Sequence, residues 1–119
     1  MSIIVDGNND VSFDLEKSQF NYPEEFKWGF LIVYAEWCSH CKTLKPVIDF
    51  LSKNLVNDGV KFFMLNGENS KFSDVFSSLD VSGYPTIFSL KPNNTSYDII
   101  KYNGDRSVKD FLVFLSSDA

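Results

Sequence analysis

The chain has few of the residues that staple or interrupt small proteins: two cysteines, four prolines and six glycines among 119 residues. Two cysteines cannot build a disulfide-stapled scaffold, and in Cys38-Ser39-His40-Cys41 they stand so close that they read as a reactive pair rather than a brace. Histidine is scarcer still, since His40 is the only one. Positive charge is also short, with 11 Lys and Arg against 16 Asp and Glu and a net charge of -5. Phosphate backbones are held by clustered Lys and Arg that displace counterions, so no nucleic-acid partner is expected. Long apolar runs are missing as well. The longest, residues 30–35, is far below the ~20 residues a membrane-spanning helix needs, and no membrane partner is expected. The first six residues hold an apolar stretch of only three residues and no basic group, so they do not read as a secretory signal, and the last four are not a retrieval signal. The compartment is left open by these features.

What the chain does have is apolar and aromatic bulk: 44% hydrophobic residues, 16% aromatic, with twelve Phe. That composition supports a packed core and excludes disorder. No repeat or linker-like stretch divides it, so one domain is expected over residues 1–119. Residues 30–35 form a continuous apolar run of strand length, which suits a central strand covered on both faces. Leu44, Val47, Ile48, Leu51 and Leu55 then recur at helical spacing until Asn57-Asp58-Gly59, with Pro46 predicted to kink the helix. Residues 60–65 read as a second buried strand. Phe72, Val75, Phe76 and Leu79 form another helical stripe, with Asn69 or Ser70 available as its cap. Residues 86–90 and 98–102 read as strands joined by a turn at Pro92-Asn93-Asn94, and Ser107 can cap a last helix whose inner face is Val108, Phe111, Leu112 and Leu115. Upstream, residues 3–5 read as a short edge strand. The aromatics spaced over residues 13–26 predict a short helix followed by a loop at Asn21-Tyr22-Pro23. Alternating strands and helices of this kind imply an α/β fold with a partly parallel sheet and helices on both faces.

The two cysteines follow a buried strand and open a helix. There the first sulfur meets unpaired backbone amides and the positive end of the helix dipole, which stabilise a thiolate. Cys38 is therefore expected to be the nucleophile. Cys41, one turn further in, is placed to attack a mixed disulfide on Cys38 and release the product. His40 can add positive charge that favours the reduced pair and makes the disulfide more oxidising. Zinc is disfavoured because it wants four ligands. A purely structural disulfide is disfavoured because bridging residues three apart closes a tiny loop and restrains little chain entropy. Trp37, a large aromatic beside a reactive thiol, is read as bordering a docking surface.

The segment Ala35-Glu36-Trp37-Cys38-Ser39-His40-Cys41-Lys42 resembles the active site of the thioredoxin superfamily, and Pro46 matches that family's helix-kinking proline. Val81-Ser82-Gly83-Tyr84-Pro85-Thr86-Ile87 is similar to the loop whose cis proline faces the cysteine pair. The resemblance implies a thioredoxin fold with a central mixed sheet of four or five strands flanked by four helices. It also implies thiol–disulfide exchange on proteins, with no metal and no cofactor beyond the Cys38–Cys41 disulfide itself. Tyr84 and Pro85 would shape a groove in which an extended client adds as a strand.

Within the superfamily the chain looks most like a protein disulfide isomerase domain. His40 stands where that branch has His, and Arg106 precedes the last helix where such domains carry an arginine able to approach the buried cysteine. Ser39, where both branches usually have Gly, is a mild departure from the pattern, and two further positions depart more strongly. Six residues before the first cysteine the family has a buried acid and this chain has Ile32, while the lysine that often pairs with the acid aligns with Met64. The implied partners are protein or peptide thiols and disulfides, with a thiol oxidase recharging an isomerase-like enzyme. The alternatives are a thioredoxin-type general reductase recharged by a flavoenzyme reductase, and a protein-binding module in which the cysteines are incidental.

Overall fold

A computed structural model describes residues 3–6, 11–14, 19–22, 25–93 and 96–117. In chain order the elements are β1 (Ile3–Asp6), β2 (Val11–Asp14), β3 (Gln19–Asn21), β4 (Trp28–Tyr34), α1 (Ser39–Asn54), β5 (Val60–Asn66), α2 (Ser73–Ser78), β6 (Thr86–Asn93), β7 (Ser96–Lys101) and α3 (Val108–Ser117). Short 3-10 turns at Val56–Asp58 and Ser70–Phe72 precede β5 and α2.

The apolar run of β4 lies inside a mixed four-stranded sheet of order β5-β4-β6-β7. β4 is parallel to β5 and antiparallel to β6, and β6 is antiparallel to β7. Because side chains alternate along a strand, β4 feeds two cores. Leu31 and Val33 pack with Phe63, Leu65, Phe88 and Leu90 under α2, which contributes Val75 and Phe76. Phe30 and Ile32 face the other way, toward Leu44, Ile48 and Leu51 of α1 and Phe111 of α3. Phe30 meets Phe111 edge-on, with ring centroids 5.4 Å apart. Burying each such side chain stabilises the fold by roughly 1.5–3 kcal/mol, which is why a strand apolar on both faces takes an inner place in the sheet. Ser107 caps α3 as expected, its Oγ accepting the Asp110 N–H at 3.1 Å. Asn69 caps the 3-10 turn before α2 rather than α2 itself.

The chain before β4 differs from expectation. The short helix predicted within residues 13–26, ahead of the loop at Asn21, is absent from the described part of that segment, where β2 and β3 pair antiparallel with Phe13 opposite Phe20. β1 is the edge of this separate three-stranded sheet, not of the central one. Val11 and Phe20 are buried in the α2-side core, and Phe20 stacks on Phe72 at 6.4 Å. Strands of three or four residues show too few alternations to betray a period of two, and aromatics seven apart also fit a helix. Asn21 closes β3 rather than opening a loop, and Pro23 lies outside the described residues. Three α-helices stand among the described residues where four were expected.

Smaller differences have local causes. The predicted turn at Pro92-Asn93-Asn94 begins later, because β6 continues through Pro92, which pairs with Tyr97 of β7. Beyond Leu90, β6 pairs with β7 alone, so a residue without an N–H is tolerated there. Asn94 lies outside the described residues. Pro46 sits within α1, where it removes one helical donor. Gly59, at φ 76° in the left-handed region, ends the turn after α1 as the Asn57-Asp58-Gly59 signal implied.

Candidate active site

β4 ends against the start of α1, and the connection puts the sulfurs at the sheet's rim. The Cys38 N–H donates to the Ala35 carbonyl at 3.2 Å, closing a tight turn. Cys38 is the N-cap residue of α1, with extended φ -77° and ψ 117°. Its Sγ accepts the Cys41 backbone N–H at 3.2 Å, taking the place a Ser or Asp oxygen holds at most helix starts. Both cysteines are free thiols, 4% and 6% exposed.

These contacts separate the two thiols. Cys38 is held below the usual cysteine value, first by its hydrogen bond with the Cys41 side chain, then by the backbone amides of Cys41 and His40 and the charge of Arg106. Burial opposes this. Cys41 is pushed up to about 11, first by burial and then by its hydrogen bond with Cys38, while the Ala35 backbone amide and Arg106 pull the other way. A sulfur with helix amides around it and a sulfur packed behind it are the two environments that a nucleophile and a resolving thiol require. His40 is exposed on the first turn and meets Cys38 through its backbone amide.

The second motif closes on the first. The Tyr84–Pro85 bond is cis. The Cys38 thiol donates to the Tyr84 carbonyl at 3.5 Å, and Tyr84 packs against Ala35 and the cysteine pair. Arg106, just before α3, donates from Nη2 to the Pro85 carbonyl at 3.3 Å. Trp37 is 65% exposed beside Cys38, with its ring edge-on to Tyr84 at 5.9 Å. Thus Trp37, Cys38, Cys41, Tyr84, Pro85 and Arg106 converge at one end of the sheet, and the His40 side chain points outward from the same helix start.

Two residues at this end escaped the sequence reading. Glu68 accepts the Trp37 indole N–H at 2.9 Å, and Gly67 donates its N–H to the Tyr34 carbonyl at 2.7 Å. A Cβ at Gly67 would collide with the Tyr84 ring, so the loop after β5 seats both aromatics that flank Cys38. Asn66-Gly67 is a turn signal visible in the sequence, but nothing local says which rings it meets. Among the described residues no group of three or more His, Cys, Asp or Glu is placed to hold a metal ion.

The thioredoxin family model matches residues 16–117. The chain belongs to the thioredoxin family. It is 34% identical over 95 residues to protein disulfide-isomerase 1 of Dictyostelium discoideum, covering 78% of this chain and 25% of that one. It is 35% identical over 86 residues to protein disulfide-isomerase A3 of Gallus gallus, covering 72% of this chain and 16% of that one. The chain therefore spans a quarter or less of these relatives. Among solved structures, the Trx4 domain of ERdj5 superposes with TM-score 0.65 at 14% identity, over 80% of this chain and 84% of that one. Human ERp44 superposes with TM-score 0.62 at 23% identity, over 78% of this chain and 28% of that one. The superpositions bear on the fold, and the sequence relatives make this a disulfide-isomerase-like thioredoxin domain.

Proposed function

We propose that the protein exchanges thiols and disulfides with polypeptide clients, in the manner of a disulfide isomerase or oxidase. The observation that carries this reading is the asymmetry of the pair: Cys38 lowered at a helix N-cap, Cys41 raised behind it. The Cys38 thiolate attacks a client disulfide, forms a mixed disulfide and expels one client sulfur as a thiolate. Cys41 then attacks Cys38, so the Cys38–Cys41 bond forms as the bond to the client breaks. In the opposite direction the Cys38–Cys41 disulfide passes to a client dithiol, and a thiol oxidase restores it. The disulfide is the only redox group the reaction uses.

Trp37 and Tyr84 give the client an apolar edge, and the backbone beside Pro85 pairs with it as an added strand. His40 biases the pair toward the dithiol, and Arg106 supports the thiolates. The disulfide-isomerase names of the relatives support this branch over a thioredoxin-type reductase served by a flavoenzyme.

Refolding of a reduced, denatured client with several native disulfides tests the reading. The oxidised protein is expected to restore client activity, and Cys38→Ser to abolish the effect. Cys41→Ser is expected to accumulate mixed disulfides with the client. Absence of adducts while Cys38 remains open to alkylation would leave the cysteines incidental and favour a binding module.

A further inference from the structure

Cys41 also borders a cleft that neither Cys38 nor Tyr84 lines. The cleft lies between α1 and the edge strand β5, has a volume of about 480 Å³, and carries Glu36, Lys42, Lys45 and Asp49 on its walls. All four of those side chains belong to exposed residues. Liquid water takes about 30 Å³ per molecule, so a connected group of waters fits beside the Cys41 wall. Charges there balance, two ammonium groups against two carboxylates.

Resolution of a mixed disulfide needs Cys41 to lose a proton, and burial resists that loss. The sheet beneath offers no acceptor, since Ile32 and Met64 face each other there. The Ala35 backbone amide reaches the Cys41 sulfur, and Glu36 is the next residue along the chain. Asp49 is eight residues further along α1, about 12 Å at 1.5 Å per residue. Glu36 is therefore the better placed carboxylate.

We propose that the α1–β5 cleft is the proton exit from Cys41, and that Glu36 receives the proton through cleft water as Cys41 attacks the mixed disulfide. The proposal rests on the exchange reading above. In this step the Cys41 S–H proton passes to the Glu36 carboxylate, the Cys38–Cys41 bond forms, the bond from Cys38 to the client breaks, and the client sulfur leaves as a thiolate that takes a proton from solvent. Afterwards Glu36, being exposed, returns its proton to bulk water. Facing the cleft are Tyr34 from β4, Glu36 from the turn, and Lys42, Lys45 and Asp49 from α1; β5 contributes Phe62 and Met64, which do not titrate. Arg106 acts on the cysteine pair from the Pro85 side.

Stopped-flow reaction of the reduced full chain with a short peptide disulfide separates attack by Cys38 from resolution by Cys41. Glu36→Gln is expected to slow resolution by about 100-fold or more near neutral pH, the lower end of what a positioned base supplies, with attack changed little. Glu36→Ala is expected to be slowed equally and recovered by added formate, a base small enough to enter the cleft; Asp49→Asn is expected to leave both phases intact. Wild-type resolution in Glu36→Gln, a slowing in Glu36→Ala that formate does not recover, or an equal slowing in Asp49→Asn would each overturn the assignment to Glu36. A wild-type chain with no attack phase would instead overturn the exchange reading, and this proposal with it.

Discussion

Ile32 of β4 and Met64 of β5 stand directly opposite each other in the parallel register, and Met64 lines the same cleft as Cys41. Ile32 is fully buried. The thioredoxin resemblance places an acid and its lysine partner at these positions, and here both have become apolar together. Keeping one charged member without the other would bury an uncompensated charge, so paired replacement is the state that costs least.

Ile32→Glu restores the acid without its partner. It is expected to speed the resolving step near neutral pH and to make Glu36 dispensable for it, while lowering folding stability by about 3 kcal/mol or more. Stopped-flow kinetics and urea unfolding of the same variant check the two effects. A variant that is destabilised yet resolves no faster would show that Cys41 is not limited by its proton.

Alkylation should separate the two thiols by pH. Only the thiolate reacts, so a thiol held below the ordinary value of 9.0 is labelled at lower pH than one pushed up to about 11. Rising pH is expected to bring in Cys38 first and Cys41 only in strong alkali. Peptide mapping after brief iodoacetamide treatment reads the order directly, and early labelling of Cys41 would reverse the assigned roles.

Arg106 touches the Pro85 carbonyl and acts on both sulfurs through charge. Cys38 owes its lowering first to Cys41 and the helix amides, whereas Cys41 has little else besides the Ala35 amide to support a thiolate. Arg106→Ala is expected to slow resolution by about 3- to 10-fold, corresponding to at most one pKa unit, and to leave attack nearly unchanged. Equal slowing of both phases would show a general loss of positive potential instead.

Gly67→Ala pushes a methyl group into the Tyr84 ring. It is expected to cost about 1–3 kcal/mol as an overpacking change and to weaken exchange with peptide clients, while a small reagent such as iodoacetamide still reaches Cys38 at the normal rate. Glu68→Ala, which frees the Trp37 indole, is expected to weaken client exchange without the loss of stability. Comparison of the two variants on one peptide disulfide tests whether the loop after β5 supports the client surface.

The central sheet was legible because its signals are long: β4 is apolar on both faces, α1 and α2 carry helical stripes, and α3 has its Ser107 cap. The convergence of Cys38, Cys41 and Pro85 was legible because they occur in two motifs whose resemblance reaches beyond local pattern. What escaped the reading depends on contacts distant in sequence. Phe20 reaches its core through Phe72, fifty-odd residues away, and a three-residue strand carries no period of its own. The Trp37 to Glu68 bond and the approach of Tyr84 to Gly67 exist only once β4, β5 and the Pro85 loop are assembled. The cleft beside Cys41 likewise joins side chains from a turn, a helix and an edge strand.

Equilibration of the Cys38/Cys41 pair with glutathione tests the central claim most directly. Disulfide isomerases lie near ~-180 mV and thioredoxin near ~-270 mV, about 3 log units apart in a two-electron equilibrium. With the Cys38 thiolate supported at a helix N-cap beside His40, the pair is expected near the isomerase value, oxidising clients in preference to reducing them. A value near that of thioredoxin, or failure of the pair to form a disulfide across the glutathione series, would contradict it.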